Sequence, residues 1–174
     1  KIFAVLLTLA MVLAMSIPTF AAEVTEPVTS YSSKITVTGL SSQEEETVNL
    51  YAAITLNVDK NEWIVADWAK DYITVSTDGK KYEITNAEGL AKAVPETIAP
   101  FQQKHVVGET QVEFSEVPVG AYVVTASGNK ITYSPMVAET YNDVATYMQA
   151  KNVTLVAKSS GYDVKKEAAD GFVK

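Results

Sequence analysis

The sequence predicts an all-β sandwich with one short helical excursion. Two stretches carry that prediction. From Val48 to Val58 apolar residues recur at every second position, Val48, Leu50, Ala52, Ile54, Leu56 and Val58, which is the period of a strand with one face buried. From Val112 to Ala126 the chain reads Val-Glu-Phe-Ser-Glu-Val-Pro-Val-Gly-Ala-Tyr-Val-Val-Thr-Ala, two apolar and β-branched runs punctuated by Pro118 and Gly120. Strand, tight turn, strand is the direct reading. It predicts that Val112–Val117 and Gly120–Ala126 pair as neighbours in one sheet, with Gly120 taking the positive φ of a turn.

The remaining elements follow in chain order. Lys1 precedes the apolar run Ile2–Met15, and the stretch from Ser16 to Ala22 leaves it through small residues. A positive start, an apolar core short for a membrane span and a small-residue exit predict a secretory signal peptide over residues 1–21. Cleavage is expected after Ala21, with Ala22 as the alternative. Residues 22–32 read as a polar, Pro-containing flexible leader, and the domain itself is expected over residues 33–158.

Its first strand is Lys34–Thr38, where Ile35 and Val37 share a face and Gly39 ends the pattern. Asn61–Tyr72 loses clean alternation and predicts a strand entering a short helix. Trp63 and Trp68 are read there as aromatics packed onto the sandwich, the alternative being a sugar-binding platform. Ile73–Ser76 and Lys81–Ile84 flank Thr77-Asp78-Gly79-Lys80, where Asp-Gly predicts a hairpin with a primed turn. Asn86 is placed to cap a helix through Leu90 and Ala91 that Pro95 stops. Helices and loops are expected from Asn86 to Thr110, with His105, the single histidine, as a solvent-facing loop residue.

Ser127-Gly128-Asn129 predicts a further turn, and Val137–Met148 predicts two strands around a turn at Asn142-Asp143. Asn152–Lys158 is the last strand expected of the domain. Residues 159–174 are read as a linker, Ser159-Ser160-Gly161, followed by the start of a second domain.

Composition removes several classes of function. The chain of 174 residues has no cysteine, so disulfides do not cross-link it, and its formal net charge is -7. Its basic residues are all lysine. An acidic chain without arginine lacks the bidentate grip on phosphate and guanine, which argues against a nucleic-acid partner. No Gly-rich phosphate loop, no His-x-x-x-His pair and no Gly-x-Ser-x-Gly is present, so no enzyme, metal or cofactor is expected.

Phe114, Val117, Pro118, Gly120 and Tyr122 spell Phe-x-x-Val-Pro-x-Gly-x-Tyr. This wording resembles a motif in the Ig-like (Cna-B-like) domains of surface adhesins and sortase-assembled pili of Gram-positive bacteria. The order of the opening strand, this motif, Tyr133-Ser134-Pro135-Met136 and a strand ending in lysine extends the resemblance over nearly the whole mature chain. It implies the N-terminal domain of a cell-wall-anchored fimbrial subunit, an Ig-like sandwich with sortase and other copies of the subunit as partners. In this family a sortase joins the C-terminal threonine of one subunit to a lysine of the next, often in Tyr-Pro-Lys. Val156-Ala157-Lys158 keeps the lysine without the Tyr-Pro, so the resemblance implies Lys158 as the linkage residue, an ordinary surface lysine being the other reading. Lys151 is the next candidate.

The family also forms isopeptide bonds within domains, between a lysine and an asparagine with a carboxyl group beside them. The carboxylate expected four residues after Tyr122 is Ala126 here, so no such bond is expected in this domain, and Lys34 is read as a surface residue. Val164-Lys165-Lys166 matches the opening of the next domain and implies Lys166 as its bonding lysine; a solvated linker charge is the alternative. A second functional reading stays open beside the structural subunit. It is a surface adhesin or carbohydrate-binding module that uses Trp63, Trp68 or the excursion to contact a host or glycan ligand.

Overall fold

The computed structural model describes residues 31–144 and 147–162. The expected signal peptide, the leader up to Ser30 and Lys166 lie outside the described residues. The first strands are β1 (Ser32–Thr38), β2 (Glu45–Asn57) and β3 (Glu62–Val65), followed by a 3-10 turn at Asp67–Ala69. A hairpin of β4 (Ile73–Val75) and β5 (Tyr82–Ile84) precedes helix α1 (Ala87–Lys92). Next come β6 (Gln102–Val107), β7 (Gln111–Pro118), β8 (Gly120–Gly128), β9 (Ile131–Tyr133) and β10 (Met136–Glu139). The chain continues through β11 (Tyr141–Val144), β12 (Tyr147–Ala150), β13 (Val153–Val156) and β14 (Ser159–Tyr162). The all-β expectation holds, and among the described residues no helix is long and apolar enough to cross a membrane.

Two sheets face each other. The smaller runs β13-β1-β7, with β1 parallel to β13 and antiparallel to β7; the larger runs β14-β9-β8-β2-β3, with β10 also on β8 and β6 also on β2. Ile35 and Val37 of β1, Phe114 and Val117 of β7, Val48 and Leu50 of β2 and Tyr122 and Val124 of β8 form the core between them. A second core lies on the opposite face of the larger sheet, where Ala121 and Val123 of β8 meet Trp63, Ile73 and Leu90. β8 is therefore covered on both faces, which is why Ala121-Tyr122-Val123-Val124 reads as a continuous apolar run.

β2 departs from its expected single face. The pairing register with β8 shifts between Ala52 and Ile54. One extra residue turns every later side chain over. Val48 and Leu50 consequently face the first core, whereas Ile54 and Leu56 face the second, and Val58 is left exposed.

The expected hairpin of Val112–Val117 with Gly120–Ala126 is not formed. β7 belongs to the smaller sheet and β8 to the larger, so the chain crosses the sandwich at Pro118-Val119. The reason is local. A two-residue hairpin link uses positive φ at its first central position, which is closed to Pro118 by its ring and costly for β-branched Val119. Of the residues flanking the crossing, Glu116 takes a positive φ, +56°. Val117 then enters the first core and Val119 the second.

The corner is held by hydrogen bonds. Tyr122 donates its hydroxyl to the Pro118 carbonyl at 2.8 Å, and the Thr140 hydroxyl accepts from Gly120 N–H at 3.0 Å. Val119 N–H donates to the Tyr31 carbonyl and its own carbonyl accepts from Leu56 N–H, both at 3.0 Å. Gly120 is needed for close approach rather than for a positive φ: a Cβ there would lie 2.0 Å from the Ile54 carbonyl oxygen.

Other local expectations divide. Asn86 caps α1, its Oδ1 accepting from Gly89 N–H at 2.8 Å, and Leu90 is buried. The β4–β5 hairpin forms, but of Asp78 and Gly79 only Gly79 has a positive φ, +70°, so its loop is not the primed turn. The excursion ends early, because residues 102–107 form β6 against β2 and place His105 on a strand, exposed. Asn142 and Asp143 sit within β11, paired to β12, rather than in a turn. Ser159-Ser160-Gly161 is not a linker but part of β14, paired to β9.

Candidate functional site

β1 and β13 are parallel and finish at the same end of the sandwich. Here Ala157 N–H donates to the Thr38 carbonyl at 2.8 Å, and the Lys158 carbonyl accepts from Ser134 N–H at 3.0 Å. The backbone on both sides of the Lys158 side chain is thereby tied to both sheets. The chain passes here from β13 in the smaller sheet to β14 in the larger. Ala157 is buried and Lys158 exposed, as the alternation from Val153 requires.

A cleft of about 630 Å³ opens beside Lys158 and is lined by Leu40, Ser41, Thr110, Tyr133 and Ser159 among others. Two of these residues, Ser41 and Tyr133, bond Glu46, which is 1% exposed and not itself part of the lining. Its Oε1 accepts from the Tyr133 hydroxyl and from Ser41 N–H at 3.1 Å, and Ser41 N–H also reaches the Tyr133 oxygen at 2.9 Å. Oε2 has no hydrogen-bond partner among the described residues. Burial, with the carboxyl of Glu46 beside it, pushes the Tyr133 hydroxyl up to about 12.

The lysines differ in what holds them. Lys34 pairs with Glu113 at 3.0 Å, Lys70 with Asp67 at 2.6 Å and Lys92 with Glu88 at 2.6 Å, all on the surface. The hydrogen bond from Lys34 holds the Glu113 carboxyl below its ordinary range. Lys34 is thus the surface residue expected, and Ala126, in the first core, offers no carboxylate. Lys158 makes no ion pair among the described residues. Lys151 is half-buried, its N–H bonded to the Thr140 carbonyl at 3.0 Å.

Trp63 packs in the second core at 7% exposure, edge-on to Tyr82 and Tyr141, with its Nε1–H donated to the Lys80 carbonyl at 3.1 Å. It offers no open face to a sugar. Trp68 is partly covered and, with Tyr51, Ile98 and Phe101, walls a recess of about 510 Å³. The His105 Nδ1 lies 3.0 Å from the Thr47 hydroxyl, and no cluster able to hold a metal ion exists among the described residues.

Sequence reasoning missed Glu46 and Tyr133. Glu46 follows Glu44 and Glu45, and a run of acids reads as a solvated face. Its phase was the available signal, since it stands two and four residues before Val48 and Leu50 and must share their inward face. The fold and the cleft define a β-sandwich protein with an exposed lysine, Lys158, at one end, outside any ion pair among the described residues. No family model, curated protein or solved structure matches the chain.

Proposed function

We propose that the chain is the N-terminal module of a secreted, cell-wall-anchored fimbrial subunit of a Gram-positive bacterium. In this reading its role is structural rather than enzymatic. The module is an Ig-like (Cna-B-like) sandwich that a sortase joins to other copies through Lys158, and Lys166 serves the isopeptide of the domain that follows. The signal-like run Ile2–Met15 supports export. The corner at Pro118 supports the Ig-like assignment, because a tyrosine hydroxyl bonded back to backbone a few residues upstream is a device of such sandwiches. The observation that carries the reading is Lys158 itself: an exposed amine outside any ion pair among the described residues, on backbone fixed to both sheets. Acyl transfer needs such an amine, able to lose its proton and approach an acyl-enzyme.

Incubating the protein with a pilus-type sortase tests this. Wild type is expected to form a ladder of covalent multimers on a denaturing gel, and Lys158→Ala to form none. A ladder that survives in the variant moves the role to another lysine, Lys151 first.

A second reading, a glycan-binding surface module, draws on the recess walled by Tyr51, Trp68, Ile98 and Phe101, with Phe101 46% exposed. It gains if active sortase leaves the wild type monomeric.

A further inference from the structure

The larger sheet is covered on its outward face over only part of its area. Val123 of β8 lies in the second core, and its partner Tyr51 of β2 packs against that core. Farther along the same face the cover stops: half-buried Asn49 stands opposite half-buried Thr125, then half-buried Thr47 opposite exposed Ser127. Strand pairing extends both rows across the sheet. The nearer row is Thr125, Asn49 and Gln103. The farther is Ser160, Thr132, Ser127, Thr47 and His105, one residue from each of β14, β9, β8, β2 and β6. At the ordinary spacing of paired strands this farther row spans roughly 19 Å.

The rows are tied side to side. The Gln103 amide donates to the Asn49 Oδ1 at 2.7 Å, the Thr47 hydroxyl lies 3.0 Å from the His105 Nδ1, and the Thr132 and Ser160 hydroxyls lie 3.3 Å apart. Side chains held in this way lose less freedom when a ligand takes their remaining donors and acceptors. Neither row contains a lysine or a carboxylate, whereas the outward face of the smaller sheet carries the Lys34–Glu113 pair. Exposed Glu45 precedes Thr47 on the same face of β2, and the chain's net charge is -7, so an anionic polymer is repelled here. On its other side the nearer row adjoins Tyr51, which with Trp68, Ile98 and Phe101 walls the recess of about 510 Å³.

We propose that the two rows and the recess form one binding surface for an uncharged glycan chain. The hydroxyl and amide groups of the rows bond the hydroxyls of successive sugars, and the recess takes the apolar C–H face of one ring. A sugar chain needs both kinds of surface side by side, a few placed polar groups and an aromatic wall. The proposal rests on the glycan-binding reading given above, to which it adds the rows and the ligand class, and it is independent of joining through Lys158.

Isothermal titration calorimetry of the protein with cellohexaose, laminarihexaose and the hexamer of N-acetylglucosamine tests it, with hexagalacturonate as the anionic probe. At least one neutral hexamer is expected to bind and the anionic one not to. Asn49→Ala removes one amide and the tether of another, and Ser127→Glu sets a carboxylate in the middle of the farther row; each is expected to weaken binding about tenfold. Phe101→Ala, at the recess, is expected to weaken it by a similar factor, and Thr36→Ala, on the outward face of the smaller sheet, to leave it unchanged. Urea transitions confirm that each variant is folded, and Ser127, being exposed, keeps the rows testable if Asn49→Ala is not. Binding that falls in Phe101→Ala but not in Asn49→Ala or Ser127→Glu overturns the rows and leaves the recess as a glycan site. Tighter binding of hexagalacturonate overturns the uncharged ligand. No binding of any neutral hexamer, or an equal loss in Thr36→Ala, overturns the proposal and the glycan reading with it.

Discussion

Gly120→Ala is expected to destabilise the domain by about 3 kcal/mol or more, enough to leave it largely unfolded if its total stability is near the low end for a domain of this size. The added Cβ would meet the Ile54 carbonyl oxygen at 2.0 Å and the Thr55 Cα at 3.1 Å. Both contacts are backbone, so no side-chain rotation relieves them. Nor is the pair free to part. Gly120 pairs with Thr55 in the larger sheet, which the two cores cover on its two faces. Gly79→Ala is the control: nothing lies within 4 Å of its Cβ position and only the φ of +70° is at stake. It should cost about 1 kcal/mol. Urea midpoints of the two variants decide the matter, and equal shifts would mean that Gly120 is required by conformation rather than by contact.

Tyr122→Ala is expected to cost about 3–5 kcal/mol, the range for removing a large buried aromatic side chain. Tyr122 is fully buried between the sheets, in ring contact with Phe101, and burial pushes its hydroxyl well above the ordinary tyrosine range. Its hydroxyl also closes the corner on the Pro118 carbonyl. Tyr122→Phe keeps the ring and drops only that bond, so about 1 kcal/mol is expected. Thr140, which also bonds the Pro118 carbonyl at 3.0 Å, remains to satisfy the acceptor. If Phe proves as damaging as Ala in urea denaturation, the hydroxyl rather than the ring organises the corner.

These variants sit where sequence reasoning was strongest and also where it failed. Strands with one buried face and local ends were legible: Ile35 and Val37, the Val48 to Leu50 half of β2 and the Asn86 cap all follow from patterns a few residues long, whereas of the turn expected at Ser127-Gly128-Asn129 only Asn129 lies outside β8. The crossing at Pro118-Val119 was not, because a strand, a proline-containing link and a second strand look alike whether the strands share a sheet or face each other. Which occurs depends on partners far away in the chain, Ser32 for Pro118 and Thr55 for Gly120. The bulge at Ala52–Ile54 hid for a related reason, since Ala52, Ala53 and Ile54 are all apolar, Ala52 packing against the first core and Ala53 and Ile54 in the second. β6 and β14 carry almost no apolar alternation. Val106 is the one buried residue of β6, and Ser159-Ser160-Gly161 joins β9 through backbone pairing and a hydroxyl contact between Ser160 and Thr132, with no apolar side chain. Lys158 was legible from its place after an alternating strand, whereas the cleft beside it is assembled from residues as distant as Ser41, Thr110 and Tyr133.

The central claim is that Lys158 is the residue through which copies of this module are joined. Tandem mass spectrometry of the proteolysed, sortase-joined product tests it most directly. The account predicts one branched peptide, in which the threonine of the donor motif is bonded to the ε-nitrogen of Lys158. A branch on Lys151 or any other lysine, with Lys158 recovered unmodified, would contradict it.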